Sequence, residues 1–246
     1  INILKNKLSG ELLTDDLSRM IYATDASVYR KRPLAVAYPR STDDLKELIR
    51  FATEHEVGLV PRTAGTSLAG QCVGEGIIVD VSRYFTEILQ LDPQKKQVTV
   101  QPGVVRDELN LFLQPHGLFF GPNTSTSNRC MIGGMVGNNS SGSTSIKYGV
   151  TRDKVVSVKG LLSDGSYVTF EDLDRHQLQT KLAQGDLEGH IYKKLIGTLQ
   201  KDEVKNNIEA EFPKPEIHRR NTGYALDSLL TFDGFGGDSP YLNLAN

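Results

Sequence analysis

Pro61-Arg62-Thr63-Ala64-Gly65-Thr66-Ser67-Leu68-Ala69-Gly70-Gln71 lies between the apolar runs Val57 to Val60 and Gly76 to Val81. Gly65 and Gly70 let the backbone turn with positive φ and approach a ligand that a Cβ would obstruct. Backbone N–H groups in such a nest, with the hydroxyls of Thr63, Thr66 and Ser67, can be aimed at anionic oxygens without a metal. The stretch therefore reads as a cradle for a pyrophosphate. No Gly-Lys-Ser/Thr ending follows, so it is not a Walker loop, nor is it the Gly-x-Gly-x-x-Gly turn of a Rossmann unit. Taken alone, it fits a small-residue connection between two strands equally well.

Upstream, Leu34 to Tyr38 reads as a buried strand stopped by Pro39, and Ser41-Thr42-Asp43-Asp44 as a capping-box helix start. Leu45, Leu48, Ile49 and Ala52 give an amphipathic helix over 42–56, closed by Gly58. Val57 to Pro61 is then the strand that delivers the chain into the glycine loop. Residues 1–32 carry a helical pattern around Leu12, Leu13, Leu17, Met20 and Ile21 and form an N-terminal arm. Downstream, Gly76 to Val81 is a strand buried on both faces. Phe85 to Leu91 and Gln97 to Gln101 flank an Asp92-Pro93 turn as an antiparallel pair, and Pro102-Gly103-Val104 turns into a helix over 106–114. Residues 121–149 lack apolar periodicity and read as a second, ligand-lining loop. Val155 to Leu162 and Tyr167 to Phe170 make another hairpin. Residues 171–211 are charged and helical.

Composition narrows the function. The net charge of −2 and the lack of a long basic run argue against a nucleic-acid or membrane-surface binder, and no apolar run is long enough to span a membrane. Cys72 and Cys130, the only cysteines, suggest neither a disulfide framework nor a zinc knuckle and fit a reducing cytoplasm. His55, His116, His176, His190 and His218 show no ligand spacing, so no metal is expected.

The glycine loop, Pro102-Gly103-Val104, Ile132-Gly133-Gly134 through Asn139 and Gly142, Lys147 to Asp153, and the strand pair ending Ser163-Asp164-Gly165 occur together in this order. In this they resemble the FAD-binding domain of the vanillyl-alcohol-oxidase, or PCMH-type, FAD-linked oxidases. The resemblance runs from about Thr24 to Phe170 and resumes from Arg219 to Leu230. Within that family, Tyr22-Ala23-Thr24-Asp25-Ala26-Ser27 with Tyr29, and Arg219-Arg220-Asn221-Thr222-Gly223-Tyr224 with Leu226-Asp227, are most similar to the D-2-hydroxy-acid dehydrogenases. That group comprises D-lactate dehydrogenases, glycolate oxidase flavin subunits and D-2-hydroxyglutarate dehydrogenases. The Gly-Ser-Glu-Gly-Thr motif that follows in them is absent, and both chain ends read as cuts.

The resemblance implies an α+β fold: a PCMH-type FAD-binding domain with a small strand–helix–strand lobe and a larger antiparallel-sheet lobe with flanking helices. The expected boundaries are 1–32 for the arm, 33–83 for the first lobe and 84–246 for the second with a helical insertion at 171–212, the substrate-binding cap being absent. It assigns the FAD pyrophosphate and ribityl chain to Arg62, Thr63, Ala64, Gly65, Thr66, Ser67, Leu68 and Gln71. Pro102, Gly103 and Val104 would line the adenine side. Ile132, Gly133, Gly134, Asn139, Ser141 and Gly142 would pass under the flavin, with Thr124, Ser125, Cys130, Tyr148, Gly149 and Gly160 completing the cofactor contacts. FAD is expected to be non-covalent, because the first loop has no histidine and Cys130 lies closer to Gly133 than the linking cysteine of bicovalent relatives.

The implied reaction is hydride transfer from a D-2-hydroxy acid to flavin N5, with electrons passed to another acceptor or to an iron–sulphur domain. The catalytic base is expected in the cap, so no catalytic residue is assigned and the fragment itself is expected to be inactive. Arg219 and Arg220 read as solvated, not as a carboxylate clamp. The competing readings are a non-catalytic dinucleotide-binding module that acts as a docking domain, and a sugar-nucleotide reductase, for which no NADPH site is found.

Overall fold

The structure, a computed structural model, describes residues 1–214, 216–217 and 223–245. The Arg219 to Thr222 readings therefore lie outside the described residues. Two compact units are present, residues 1–144 and 145–246. The lobe boundary expected at 83/84 falls inside the first of them.

The first unit opens with α1 (Asn2–Lys5), β1 (Glu11–Leu13) and α2 (Asp16–Ile21). The expected single helical arm is thus corrected. Leu12 pairs antiparallel with Ala37 and is buried, whereas Leu17, Met20 and Ile21 on α2 are exposed. Next come β2 (Ala35–Tyr38), α3 (Thr42–Glu54), β3 (Leu59–Arg62) and β4 (Ile77–Asp80). The sheet order is β1-β2-β4-β3, with β4 parallel to both neighbours. This places the start of the glycine loop beside the end of β4, with Arg62 opposite Asp80.

Leu48 and Phe51 on α3 pack with Leu4, Leu12, Ile77 and Val79. Burying one such side chain contributes about 1.5–3 kcal/mol. Ser41 caps α3 by accepting from the Asp44 amide at 3.2 Å. The Asp44 carboxylate does not close a reciprocal box. It turns to Ser9, Gly10 and the Arg40 amide. The left-handed residue after α3 is Glu56 (φ 54°), not Gly58.

The hairpin β5 (Ile88–Asp92) and β6 (Gln97–Val100) is antiparallel, as the turn signal indicates, and α4 (Arg106–Leu113) follows the Pro102-Gly103-Val104 corner. Val104, Leu109 and Leu113 are buried against side chains of this hairpin. The stretch expected to lack structure contains α5 (Ile132–Gly137) and α6 (Ser145–Tyr148).

The second unit contains α6, the hairpin β7 (Val158–Leu161) and β8 (Tyr167–Phe170), and then α7 (Arg175–Ala183), α8 (Leu187–Leu199), α9 (Asp202–Glu211) and α10 (Leu226–Leu229). Its core gathers Leu178, Tyr192, Ile196, Leu199 and Ile208 with Phe232, Phe235 and Leu242. Among the described residues, no helix is long and apolar enough to cross a membrane.

Candidate functional site

Strand β3 ends at Arg62, and the chain turns at once into the glycine loop. Gly65 (φ 65°) and Gly70 (φ 70°) both occupy the left-handed region, as the loop reading requires. Gly65 also admits a close neighbour: a Cβ there would fall 2.5 Å from Nη2 of Arg62. The Arg62 guanidinium donates to the Thr24 carbonyl at 2.8 Å and lies 4.9 Å from the centre of the Tyr22 ring. Residues 22–29 form a strap around the loop. The Ala26 amide donates to the Gly65 carbonyl at 3.1 Å, and the Tyr29 ring packs on Gly70.

Within the loop, Ser67 Oγ donates to Gln71 Oε1 at 2.7 Å and accepts from the Ala69 amide at 3.1 Å. The backbone amides of Ala64 through Leu68 have no protein acceptor among the described residues, and neither do the Thr63 and Thr66 hydroxyls. No carboxylate occurs between Pro61 and Gln71. The loop therefore presents neutral donors above one guanidinium, a donor set suited to a diphosphate. Leu68 is 81% exposed at its crest.

The structure brings three separately read segments together. A Cβ on Gly134 would fall 2.5 Å from Thr63 Oγ1, so α5 lies directly against the glycine loop. Gly133 abuts Pro102 and donates its amide to the Pro102 carbonyl at 2.8 Å, while the Ile132 amide donates to Val104 at 2.9 Å. The leading amides of α5 thus serve the corner. The neighbours that exclude side chains at these glycines are protein groups, including the Asn123 carbonyl at Gly142. Asn139 holds a positive φ of 46°, and the buried Oδ1 of Asn123 has no partner among the described residues.

Cys130 is buried between Thr124 Oγ1 at 3.2 Å and Met135 Sδ at 3.6 Å. Ser125 stays exposed on the preceding turn. Gly103 is buried, where a Cβ would fall 2.6 Å from the Phe85 carbonyl oxygen.

Tyr148, Gly149 and Gly160 belong to the second unit. Lys147 lies 5.3 Å from the Tyr148 ring centre, and Gly149 (φ 79°) packs on Asp153. Gly160 sits in β7 opposite Val168, with nothing close to where its Cβ would be.

Sequence reading did not find Asp80 or the role of Tyr22. Asp80 is buried at the end of β4 and accepts from Tyr22 at 2.6 Å; the Tyr22 oxygen in turn lies 2.6 Å from Tyr38 Oη. Since the single Tyr22 proton goes to Asp80, Tyr38 donates to Tyr22. Burial pushes the Tyr22 phenol up, and its bonds to Asp80 and Tyr38 add to the effect. An acid closing an apolar strand was the available signal for Asp80. At Asp25, burial acts to raise the pKa, but hydrogen bonds from Ser27 and Cys72 and the Arg62 charge outweigh it, so the carboxyl is held below its usual range. Burial raises the Cys72 thiol, which lies 3.6 Å from Asp25.

A profile of the FAD binding domain matches residues 33–171. The chain is 37% identical over 228 residues to a D-2-hydroxyglutarate dehydrogenase of Pseudomonas putida, covering 92% of this chain and 22% of that protein. It is 36% identical over 221 residues to glycolate oxidase subunit GlcD of Bacillus subtilis, covering 87% of this chain and 45% of that one. Among solved structures, 6-hydroxy-D-nicotine oxidase from Arthrobacter nicotinovorans superposes with a TM-score of 0.59 at 22% identity, over 70% of this chain and 38% of that chain. This last likeness is one of fold: a mixed α+β domain of PCMH type. The chain spans between about a fifth and just under half the length of these relatives.

Proposed function

We propose, from the premise that this chain belongs to the FAD-binding domain family, that it is the FAD-binding part of a flavin-dependent D-2-hydroxy-acid dehydrogenase. One observation carries the cofactor assignment: the amides from Ala64 to Leu68, unengaged among the described residues, run beside the Thr63 and Thr66 hydroxyls and over Arg62. In this reading Arg62 to Leu68 and Gln71 bind the diphosphate, Pro102 to Val104 line the adenine, and residues 132–142 lie by the flavin with Asn139 as a hydrogen-bonding partner. Residues 33–83 form one FAD-binding lobe and residues 84–246 contribute the other. When bound, FAD supplies the hydride acceptor at N5.

This chain's residues bind and orient the cofactor, and the catalytic base and substrate clamp lie outside it, so the chain by itself is inactive. The substrate class rests on relatives named as a D-2-hydroxyglutarate dehydrogenase and a glycolate oxidase subunit. Electrons then pass to a separate acceptor or an iron–sulphur domain. Non-covalent attachment is supported by the absence of histidine from the loop and the burial of Cys130 against Met135. Two unpaired cysteines favour a cytoplasmic setting.

The test is a visible absorption spectrum of the protein mixed with FAD and desalted, repeated on the supernatant after acid precipitation. Flavin retained and then released by acid is the expected result. Folded protein that retains none, also when extended beyond residue 246, would refute the cofactor assignment.

A further inference from the structure

Arg62 sits at the base of the glycine loop, yet nothing within the loop holds it there. Its guanidinium is fixed from the strap, by the Thr24 carbonyl at 2.8 Å and by the Tyr22 ring face at 4.9 Å. Tyr22 is itself immobilised: its hydroxyl donates to the buried Asp80 and accepts from Tyr38, both at 2.6 Å. Asp80 is held in turn by the Ser82 amide at 2.8 Å. The line Tyr38, Asp80, Tyr22, Arg62, Gly65 therefore runs from the sheet to the loop backbone.

Gly65 is the one residue type that lets the loop rest against the guanidinium, because any Cβ would meet it at 2.5 Å. Among the described residues no carboxylate lies within salt-bridge distance of Arg62; Asp25 is near enough to feel its charge but does not pair with it. A flexible arginine loses side-chain entropy when it meets an anion, whereas one already ordered against an aromatic face loses little.

We infer that Tyr22 is a positioning residue for the dinucleotide site: its Asp80-anchored ring holds the Arg62 guanidinium under Gly65, ready for the diphosphate. This rests on the FAD reading above and assigns the strap a part in that site. Tyr22 itself touches no ligand. Its effect passes through Arg62 and must disappear when Arg62 is removed.

The experiment is a double-mutant cycle on FAD affinity, measured by flavin fluorescence titration, with thermal unfolding as a control for folding. Tyr22→Leu is expected to weaken FAD binding about tenfold, the value of a partly desolvated cation–aromatic contact. Tyr22→Phe, which keeps the ring but loses its anchor to Asp80, is expected to give a smaller loss of about threefold. In an Arg62→Met background, Tyr22→Leu is expected to cause little further loss, whereas a merely structural tyrosine would give additive losses.

Unchanged affinity in folded Tyr22→Leu, or additivity with Arg62→Met, overturns the inference while leaving the FAD reading intact. Failure of the folded parent protein to retain FAD, also when extended beyond residue 246, overturns both. Should Tyr22→Leu not fold, Tyr22→Phe with and without Arg62→Met reads the same coupling. A loss seen only when Arg62 is present supports the inference, and equal losses in both backgrounds overturn it.

Discussion

Asp44 is buried on the first turn of α3 and accepts from the Ser9 amide at 2.8 Å, the Ser9 hydroxyl at 2.9 Å, the Gly10 amide at 3.0 Å and the Arg40 amide at 2.8 Å. One carboxylate thereby ties the α1–β1 connection to the turn between β2 and α3. Removing it strands several donors at once, and each lost hydrogen bond to a charged acceptor costs about 1.5–3 kcal/mol when its partner stays buried. Asp44→Ala is expected to lower unfolding stability by about 2–4 kcal/mol in urea titrations. Asp44→Asn, which keeps one acceptor oxygen, is expected to recover part of that loss. The sequence announced this residue only as part of a helix cap; its partners thirty-four and thirty-five residues away in the chain come from the fold.

At the scale of elements, the corner between β6 and α4 is what joins the two glycine-rich segments. Gly103 donates to the Phe85 carbonyl at 2.7 Å, and the carbonyls of Pro102 and Val104 receive the first amides of α5. A Cβ on Gly103 would fall 2.6 Å from the Phe85 oxygen and 2.9 Å from the Val81 oxygen, both rigid backbone. Gly103→Ala is expected to destabilise the protein by about 1–3 kcal/mol, the usual cost of overpacking. Because α5 rests on Thr63, the same change is expected to weaken FAD retention measurably in the desalting assay. Helix α5 itself reads poorly as a helix, since Ile132-Gly133-Gly134-Met135-Val136-Gly137 is half glycine and each glycine disfavours helix by about 1 kcal/mol relative to alanine. Tertiary contacts override that preference: Met135 is buried, and Met131 bridges to Val105.

For the molecule as a whole, the buried and partly buried carboxylates set the response to acid. At Asp44 burial acts to raise the pKa, but the amides of Arg40, Ser9 and Gly10 and the Ser9 hydroxyl outweigh it, leaving the group below its ordinary range. Asp25 behaves in the same sense. A carboxyl whose folded pKa is depressed contributes stability above its unfolded pKa, and that contribution is lost as pH falls through the folded value. Stability is therefore expected to hold on the neutral side and to decline once pH drops below about 4, the unfolded range for aspartate. Urea midpoints across an acidic pH series check this, and Asp44→Asn is expected to flatten the decline.

The sequence by itself determined the parallel strand–helix–strand unit, the Asp92-Pro93 hairpin and the position and left-handed glycines of the loop after β3. These rest on local physics: apolar spacing, turn residues and the conformational freedom of Gly65 and Gly70. Only the tertiary structure decided that Leu12 and Leu13 lie in a strand, because β2 offers Leu12 a buried antiparallel partner that no nearby residue supplies. Only it placed Gly134 on Thr63, Gly133 on Pro102 and the Tyr22 ring under Arg62. Such approaches depend on which strands become neighbours in the sheet and how corners stack, and their residues are separated by tens of positions that carry no periodic trace of the contact.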